Sequence, residues 1–167
     1  RLTRDFGEIE NLQIQSKKIG DFVTNADLKT EKILLETLQY YYPNSTYISE
    51  EKGKINGNDE IIVIDPIDGT TNFIHGYPQY CISLACMVNN KTQHAVIIDP
   101  TRREEFSASR GKGAELNGER IRVSKRGNLK DALLGNTTHT NDSQNYTFDN
   151  IATFRKLYKH GLTIRRS

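Results

Sequence analysis

The stretch Ile61-Ile62-Val63-Ile64-Asp65-Pro66-Ile67-Asp68-Gly69-Thr70-Thr71-Asn72-Phe73 decides how this chain reads. Four β-branched aliphatic residues in succession predict a strand buried on both faces. Proline cannot donate to a ladder, so Pro66 is expected to end that strand. Asp68-Gly69 then predicts a turn, and Thr70 to Phe73 the start of a short helix. An apolar strand that runs straight into two acids carries a cost. Carboxylates packed together raise one another's pKa unless a cation neutralises them.

Upstream, Thr46-Tyr47-Ile48 predicts a short strand ending at Glu50-Glu51, and Lys52 to Asp59 a loop. A helix is expected from about Ala26 to Tyr41. Thr24 and Asp27 form a capping box at its start, Ile33, Leu34, Leu38 and Tyr41 repeat at helical spacing, and Pro43 stops it. The opening to about Ser16 is helix-compatible, and Lys17 to Asp21 reads as a loop. Downstream, strands are expected at Cys81 to Val88, His94 to Ile98, Glu105 to Ser109, Arg120 to Val123 and Lys130 to Asn136. Asn89-Asn90 and Asn117-Gly118 supply hairpin turns. A polar loop over Thr137 to Tyr146, a helix marked by Phe148, Ile151, Phe154, Leu157 and Tyr158, and a strand from Leu162 to Arg165 complete the pattern. Helices packed on a largely antiparallel sheet make this an α+β chain.

With 167 residues, the chain is long enough for one domain with a real core. Its 23 Lys+Arg against 21 Asp+Glu, net +2, argue against a dedicated nucleic-acid binder. No run approaches the roughly 20 apolar residues of a membrane-spanning helix. Only 35% of residues are apolar, which is low for a self-sufficient globule. The chain begins at Arg1 and its one methionine is Met87, so a piece of a larger protein is expected. Cys81 and Cys86 lie in one apolar run, five apart and hence on opposite faces of a strand. They read as buried free thiols in a reducing compartment.

The acids fit a hard cation. Asp65 and Asp68 flank a turn, so their carboxylates and the Ile67 carbonyl can converge, and Mg²⁺ takes oxygen donors while keeping waters. The histidines His75, His94, His139 and His160 are scattered, and nothing offers the softer donors zinc prefers. A helix starting at Gly69-Thr70 would turn free N–H groups toward a phosphate. Thr70 is placed to hold a water, with Asp27 or Glu50 accepting its proton. Taken singly, each acid also reads as a cap or turn former. Taken together, they point to metal-assisted phosphate chemistry.

Ile64 to Phe73 resembles the signature of the inositol monophosphatase family of Mg²⁺-dependent, lithium-sensitive phosphatases. Ile48-Ser49-Glu50-Glu51 is similar to that family's Glu-Glu element, and Asp21 to Asp27 to its upstream Asp element. Ser109 to Ala114 with Leu116-Asn117-Gly118 is similar to its central hairpin, and the resemblance is strongest to the bacterial suppressor-type members. It implies a layered α/β sandwich of the inositol monophosphatase and fructose bisphosphatase type, with residues 1–167 as the N-terminal metal- and phosphate-binding domain. By position, it implies that Glu50, Asp65 and the Ile67 carbonyl hold one Mg²⁺, and Asp65 and Asp68 a second. Glu50 and Thr70 would position the attacking water, Asp27 would polarise Thr70, and Asp68, Gly69 and Thr70 would meet the phosphate. The implied activity is hydrolysis of inositol monophosphate by two-metal activation of water. Sister activities are those of fructose bisphosphatase, histidinol phosphatase and nucleotide 3′-phosphatase. A cytoplasmic homodimer is expected on the same ground.

The chain departs from the family in having no Trp, and so lacks the family's Trp-Asp element with its further metal-binding Asp. It ends at Arg165-Arg166-Ser167, where a sugar-contacting Gly-Ser/Thr-Ala segment would begin. The C-terminal domain is therefore expected to be absent, and this polypeptide alone to be nearly inactive. A rival reading is a regulatory protein of the transcription or RNA machinery, served by Lys17-Lys18, Arg102-Arg103, Arg120 to Arg126 and Arg165-Arg166. Overall charge balance favours a solvated strand face for these stretches.

Overall fold

The computed structural model describes residues 2–8, 14–18, 21–125, 127–128, 132–136, 156 and 163–166. The chain divides into two compact units, residues 1–122 and 123–167.

The first unit opens with α1 (Leu2–Gly7), β1 (Ile14–Lys18), β2 (Asp21–Thr24) and α2 (Asn25–Tyr41). β1 and β2 pair antiparallel, with Ile14 opposite Thr24. The expected helix is therefore confined to Leu2–Gly7, and Lys17-Lys18 lies in a strand rather than a loop, because pairing with β2 satisfies its backbone. α2 carries the expected capping box: Thr24 accepts from the backbone of Ala26 and Asp27, and the Asp27 carboxyl accepts from the Thr24 N–H. It ends at Tyr41, two residues before Pro43.

The stripe that α2 buries differs from the expected one. Ala26, Asp27, Glu31 and Leu35 are buried, whereas Ile33 and Tyr41 are 44% and 69% exposed. Packing on the sheet selects the 27, 31, 35 row, with Leu34 and Leu38 beside it.

Then follow β3 (Thr46–Ser49), β4 (Gly53–Ile55), β5 (Glu60–Asp68), α3 (Thr70–Ile74), β6 (Cys81–Val88), β7 (Lys91–Asp99), β8 (Glu104–Ser109), β9 (Gly113–Leu116) and β10 (Glu119–Ile121). They form an eight-stranded sheet in the order β10-β9-β8-β7-β6-β5-β3-β4. β3 and β5 pair in parallel and every other neighbouring pair is antiparallel. This is the α+β architecture expected.

β4 was expected to be loop; it is a short edge strand on β3, closed by Gly53 at φ +71°. The two hairpin turns sit where Asn predicted them, with Asn89 and Asn90 at φ 51° and 57° and Asn117 and Gly118 at 51° and 79°. The returning strand is shorter than expected and stops at Ile121. β5 buries Ile62 and Ile64, while Ile61 and Val63 are half-exposed, so it is buried on one face rather than two.

Two apolar clusters hold the unit. Leu35, Tyr47, Ile62 and Ile64 fix α2 to the sheet. Leu2, Ala26, Ile67, Phe73 and Tyr80 surround the far end of β5, with Phe6, Phe73 and Tyr80 in mutual ring contact. No helix among the described residues is long and apolar enough to cross a membrane.

In the second unit, β11 (Leu133–Asn136) and β12 (Thr163–Arg166) pair in parallel, Leu133 opposite Thr163. The loop expected over 137–146 and the hydrophobic residues marking a helix over 148–158 lie outside the described residues.

Candidate active site

β5 does not end at Pro66. It continues to Asp68 through a bulge: Asp65 pairs with Ser83 and Asp68 with Cys81, so three steps on β5 face two on β6. The proline is tolerated because the ladder is broken where its missing N–H would have donated. The bulge also sets the chemistry. In a regular strand, residues three apart point to opposite faces. One extra residue reverses that parity, so Asp65 and Asp68 follow Ser83 and Cys81, two apart, onto one face.

Asp65 senses Asp68. Burial pushes the Asp65 carboxyl up and the Asp68 charge adds to it, a hydrogen bond from the Glu50 side chain and the Ile67 N–H oppose, and Asp27 raises it further. Asp65 Oδ1 is buried with no hydrogen-bond partner among the described residues. Asp68 is exposed, and its Oδ2 accepts from the Cys81 thiol at 3.7 Å. Burial, then the Asp68 charge, pushes that thiol up to about 11. Both cysteines are free, as expected, though half-buried rather than buried.

Asp27 reaches the same place from α2. Its Oδ2 accepts from the N–H and hydroxyl of Thr24, which leaves Oδ1 for the Thr70 hydroxyl, 3.2 Å away across 43 residues of chain. The same hydroxyl lies 3.0 Å from the Ile67 carbonyl. Having one proton and two acceptors, it keeps its lone pairs for an incoming donor. Thr70 opens α3 behind Gly69, which sits at φ +90° and offers no side-chain cap. A Cβ at Gly69 would lie 3.0 Å from the Gln79 carbonyl oxygen, so glycine is required there by both conformation and space.

Glu50 stands exposed at the end of β3. Behind it lies a residue the sequence reading passed over. Glu31 is 0% exposed, and its Oε1 accepts from the backbone N–H groups of Glu51 and Lys52 at 3.0 and 3.1 Å. The available signal was a carboxyl four residues after Asp27 on the stripe that continues to Leu35.

The expected residues thus gather around Asp65: Glu50, Asp68 and Asp27 each act on its carboxyl, and Thr70 links Asp27 to Ile67. Among the described residues, no three His, Cys, Asp or Glu side chains close into a metal cage by themselves. The arrangement is an open set of hard oxygen donors, of the kind that suits Mg²⁺ sharing its shell with water and phosphate.

Comparison with known proteins agrees with the sequence signature. The chain is 42% identical over 169 residues to the Nus factor SuhB of Pseudomonas aeruginosa, covering 98% of this chain and 62% of that protein. It is 42% identical over 139 residues to the inositol-1-monophosphatase of Rhizobium meliloti, covering 82% and 52%. The crystal structure of the extragenic suppressor protein suhB from Bartonella henselae superposes with a TM-score of 0.88 at 36% identity, covering 99% of this chain and 64% of that one. The chain therefore spans about three-fifths of the length of its relatives. Residues 2–166 match the model of the inositol monophosphatase family, to which this chain belongs.

Proposed function

We propose that the protein carrying this chain is a Mg²⁺-dependent phosphomonoester hydrolase acting on inositol monophosphate, with residues 1–167 as its N-terminal metal- and phosphate-binding part. The observation that carries this reading is the hydroxyl of Thr70 shared between Asp27 and the Ile67 carbonyl, together with a buried Asp65 oxygen that has no hydrogen-bond partner among the described residues. Glu50, Asp65, the Ile67 carbonyl and Asp68 are all hard oxygen donors, and they would hold Mg²⁺. Bound there, Mg²⁺ supplies Lewis acidity toward the phosphoryl oxygens and lowers the pKa of water.

The chain's own residues do the positioning on which phosphoryl transfer depends. Thr24 restrains one Asp27 oxygen, so the other orients the Thr70 hydroxyl. Thr70 orients the attacking water and Glu50 takes its proton. Asp68, Gly69 and Thr70 meet the phosphate, since the first N–H groups of α3 have no side-chain cap and suit an anion.

The test is phosphate release at millimolar Mg²⁺ from inositol monophosphate, with fructose bisphosphate, histidinol phosphate and a nucleotide 3′-phosphate alongside. The whole protein is expected to prefer the inositol ester, and lithium to inhibit it. The 167-residue chain alone is expected to bind Mg²⁺ weakly and turn over little. No release by the whole protein from any of the four overturns the reading.

A second reading, an accessory role in transcription with RNA or protein partners, is favoured by the name of the Pseudomonas relative. Exposed Arg120, Arg122 and Lys125 would serve it. Asp65→Asn separates the two: lost hydrolysis with retained transcriptional function supports the second role. A cytoplasmic homodimer belongs to the same proposal, and light scattering checks the dimer.

A further inference from the structure

Glu50 reaches Asp65 from the margin of the sheet. It is exposed, it follows a strand of four residues, and it sits in the turn that leads into the three-residue edge strand β4. A long side chain on an edge turn loses considerable rotamer freedom when held in one place. Something must keep the backbone of that turn still if Glu50 is to meet Asp65 reproducibly.

Glu31 is the group that does so. Its carboxyl is wholly buried, and one oxygen collects two consecutive backbone N–H groups, those of Glu51 and Lys52. Consecutive N–H groups that converge on one oxygen fix the peptide planes between them. Glu31 also stands four residues after Asp27, on the same buried row of α2. One helix face thus reaches both arms of the site: Asp27 holds Thr70, and Glu31 holds the turn after Glu50.

We propose that Glu31 is a positioning residue that presents Glu50 to the metal site by clamping the Glu51–Lys52 backbone to α2. The inference rests on the metal-dependent reading above. Removing a group that orients a metal ligand typically lowers metal affinity by roughly tenfold to a hundredfold.

The test compares Glu31→Ala, Glu31→Gln and Glu31→Asp in the whole protein. Amide hydrogen exchange reads the clamp, and calorimetric titration with MgCl₂ reads the site. Glu31→Gln keeps an acceptor oxygen at the same reach, so it is expected to preserve slow exchange at Glu51 and Lys52 and to bind Mg²⁺ within about twofold of wild type. Glu31→Ala removes the acceptor; fast exchange at those two amides and at least about tenfold weaker Mg²⁺ binding are expected. Exchange along the β5–β6 ladder reports whether the fold survives. Should Glu31→Ala unfold it, Glu31→Asp, one methylene too short for both N–H groups, takes its place with the same expectation.

Fast exchange at Glu51 and Lys52 with unchanged Mg²⁺ affinity overturns the inference and leaves the metal site standing. Unchanged exchange overturns the clamp itself. A wild-type protein that takes up no Mg²⁺ at all overturns the metal-dependent reading and this inference with it, even if the clamp is seen by exchange.

Discussion

Cys81 can report on a cation beside Asp68 without any turnover. Its thiol donates to Asp68 Oδ2 at 3.7 Å, and burial together with that negative charge pushes it up to about 11. At pH 8 such a thiol is ionised to roughly one part in a thousand, against about one part in four for an ordinary thiol near 8.5. Nucleophilicity rises with pKa with a coefficient of about 0.5, which returns part of the loss. Cys81 should therefore react with a neutral pyridyl disulfide roughly fourteenfold more slowly than an unperturbed thiol.

Now let Mg²⁺ bind. Held at Asp68, its two positive charges would favour the thiolate by roughly 3 kcal/mol at an effective dielectric between the protein and water limits. That is about a hundredfold in ionisation and, after the same nucleophilicity correction, about a tenfold faster reaction. Cys86 is the internal control. Its thiol is raised by burial and by Glu60, to which it donates, and not by Asp68. Peptide-resolved labelling at pH 8, with and without MgCl₂ and with NaCl at matched ionic strength, measures both. A Cys81 rate unmoved by tens of millimolar Mg²⁺, or a Cys86 rate that rises equally, refutes a cation held at Asp68.

Thr70→Val deletes the hydroxyl between Asp27 and Ile67 and leaves Asp27 Oδ1 without its donor. It should cost about 1–3 kcal/mol in urea unfolding and abolish most phosphate release, with Thr70→Ser restoring both. Gly69→Ala forces a Cβ onto a residue at φ +90° and 3.0 Å from the Gln79 oxygen. A loss of about 1–3 kcal/mol is expected, read as a lowered Tm; an unchanged Tm contradicts the packing described. Asp99 is buried. Burial raises its carboxyl, but hydrogen bonds from Thr101 and Arg102 outweigh that and hold it below its ordinary value of 3.8. A depressed acid stabilises the fold above its unfolded pKa, and that contribution is lost as pH falls through the folded one. Asp99→Asn should therefore flatten the decline of stability below about pH 4 in urea titrations, and an acid limb as steep as wild type would show that Asp99 does not contribute.

Local chemistry accounts for what could be read from the sequence. The Thr24–Asp27 capping box, the Asn-centred hairpin turns and the run into Asp65 each depend on residues within a few positions of one another, and each sits where it was read. The phase of α2 did not follow from spacing alone. Ile33 and Tyr41 fit the helical period, but the sheet selected the row one step away, through Leu35. β1 was invisible because Ile14–Lys18 has neither alternation nor β-branched runs and owes its conformation to β2. Glu31 was missed for a related reason. The groups it binds lie twenty and twenty-one residues away, and only the folded chain shows that a carboxyl on an apolar stripe has partners there.

The bulge in β5 has a consequence for what this segment can tolerate. Pro66 and Ile67 can be exchanged for other residues without altering which way Asp68 points, provided three steps on β5 still face two on β6. Lengthening β6 by one residue between Cys81 and Ser83 would match three steps with three, remove the bulge and turn Asp68 to the opposite side of the sheet, although every acid is still present in the gene. The mismatch in length between the two strands, rather than chemical identity, is the stricter constraint here.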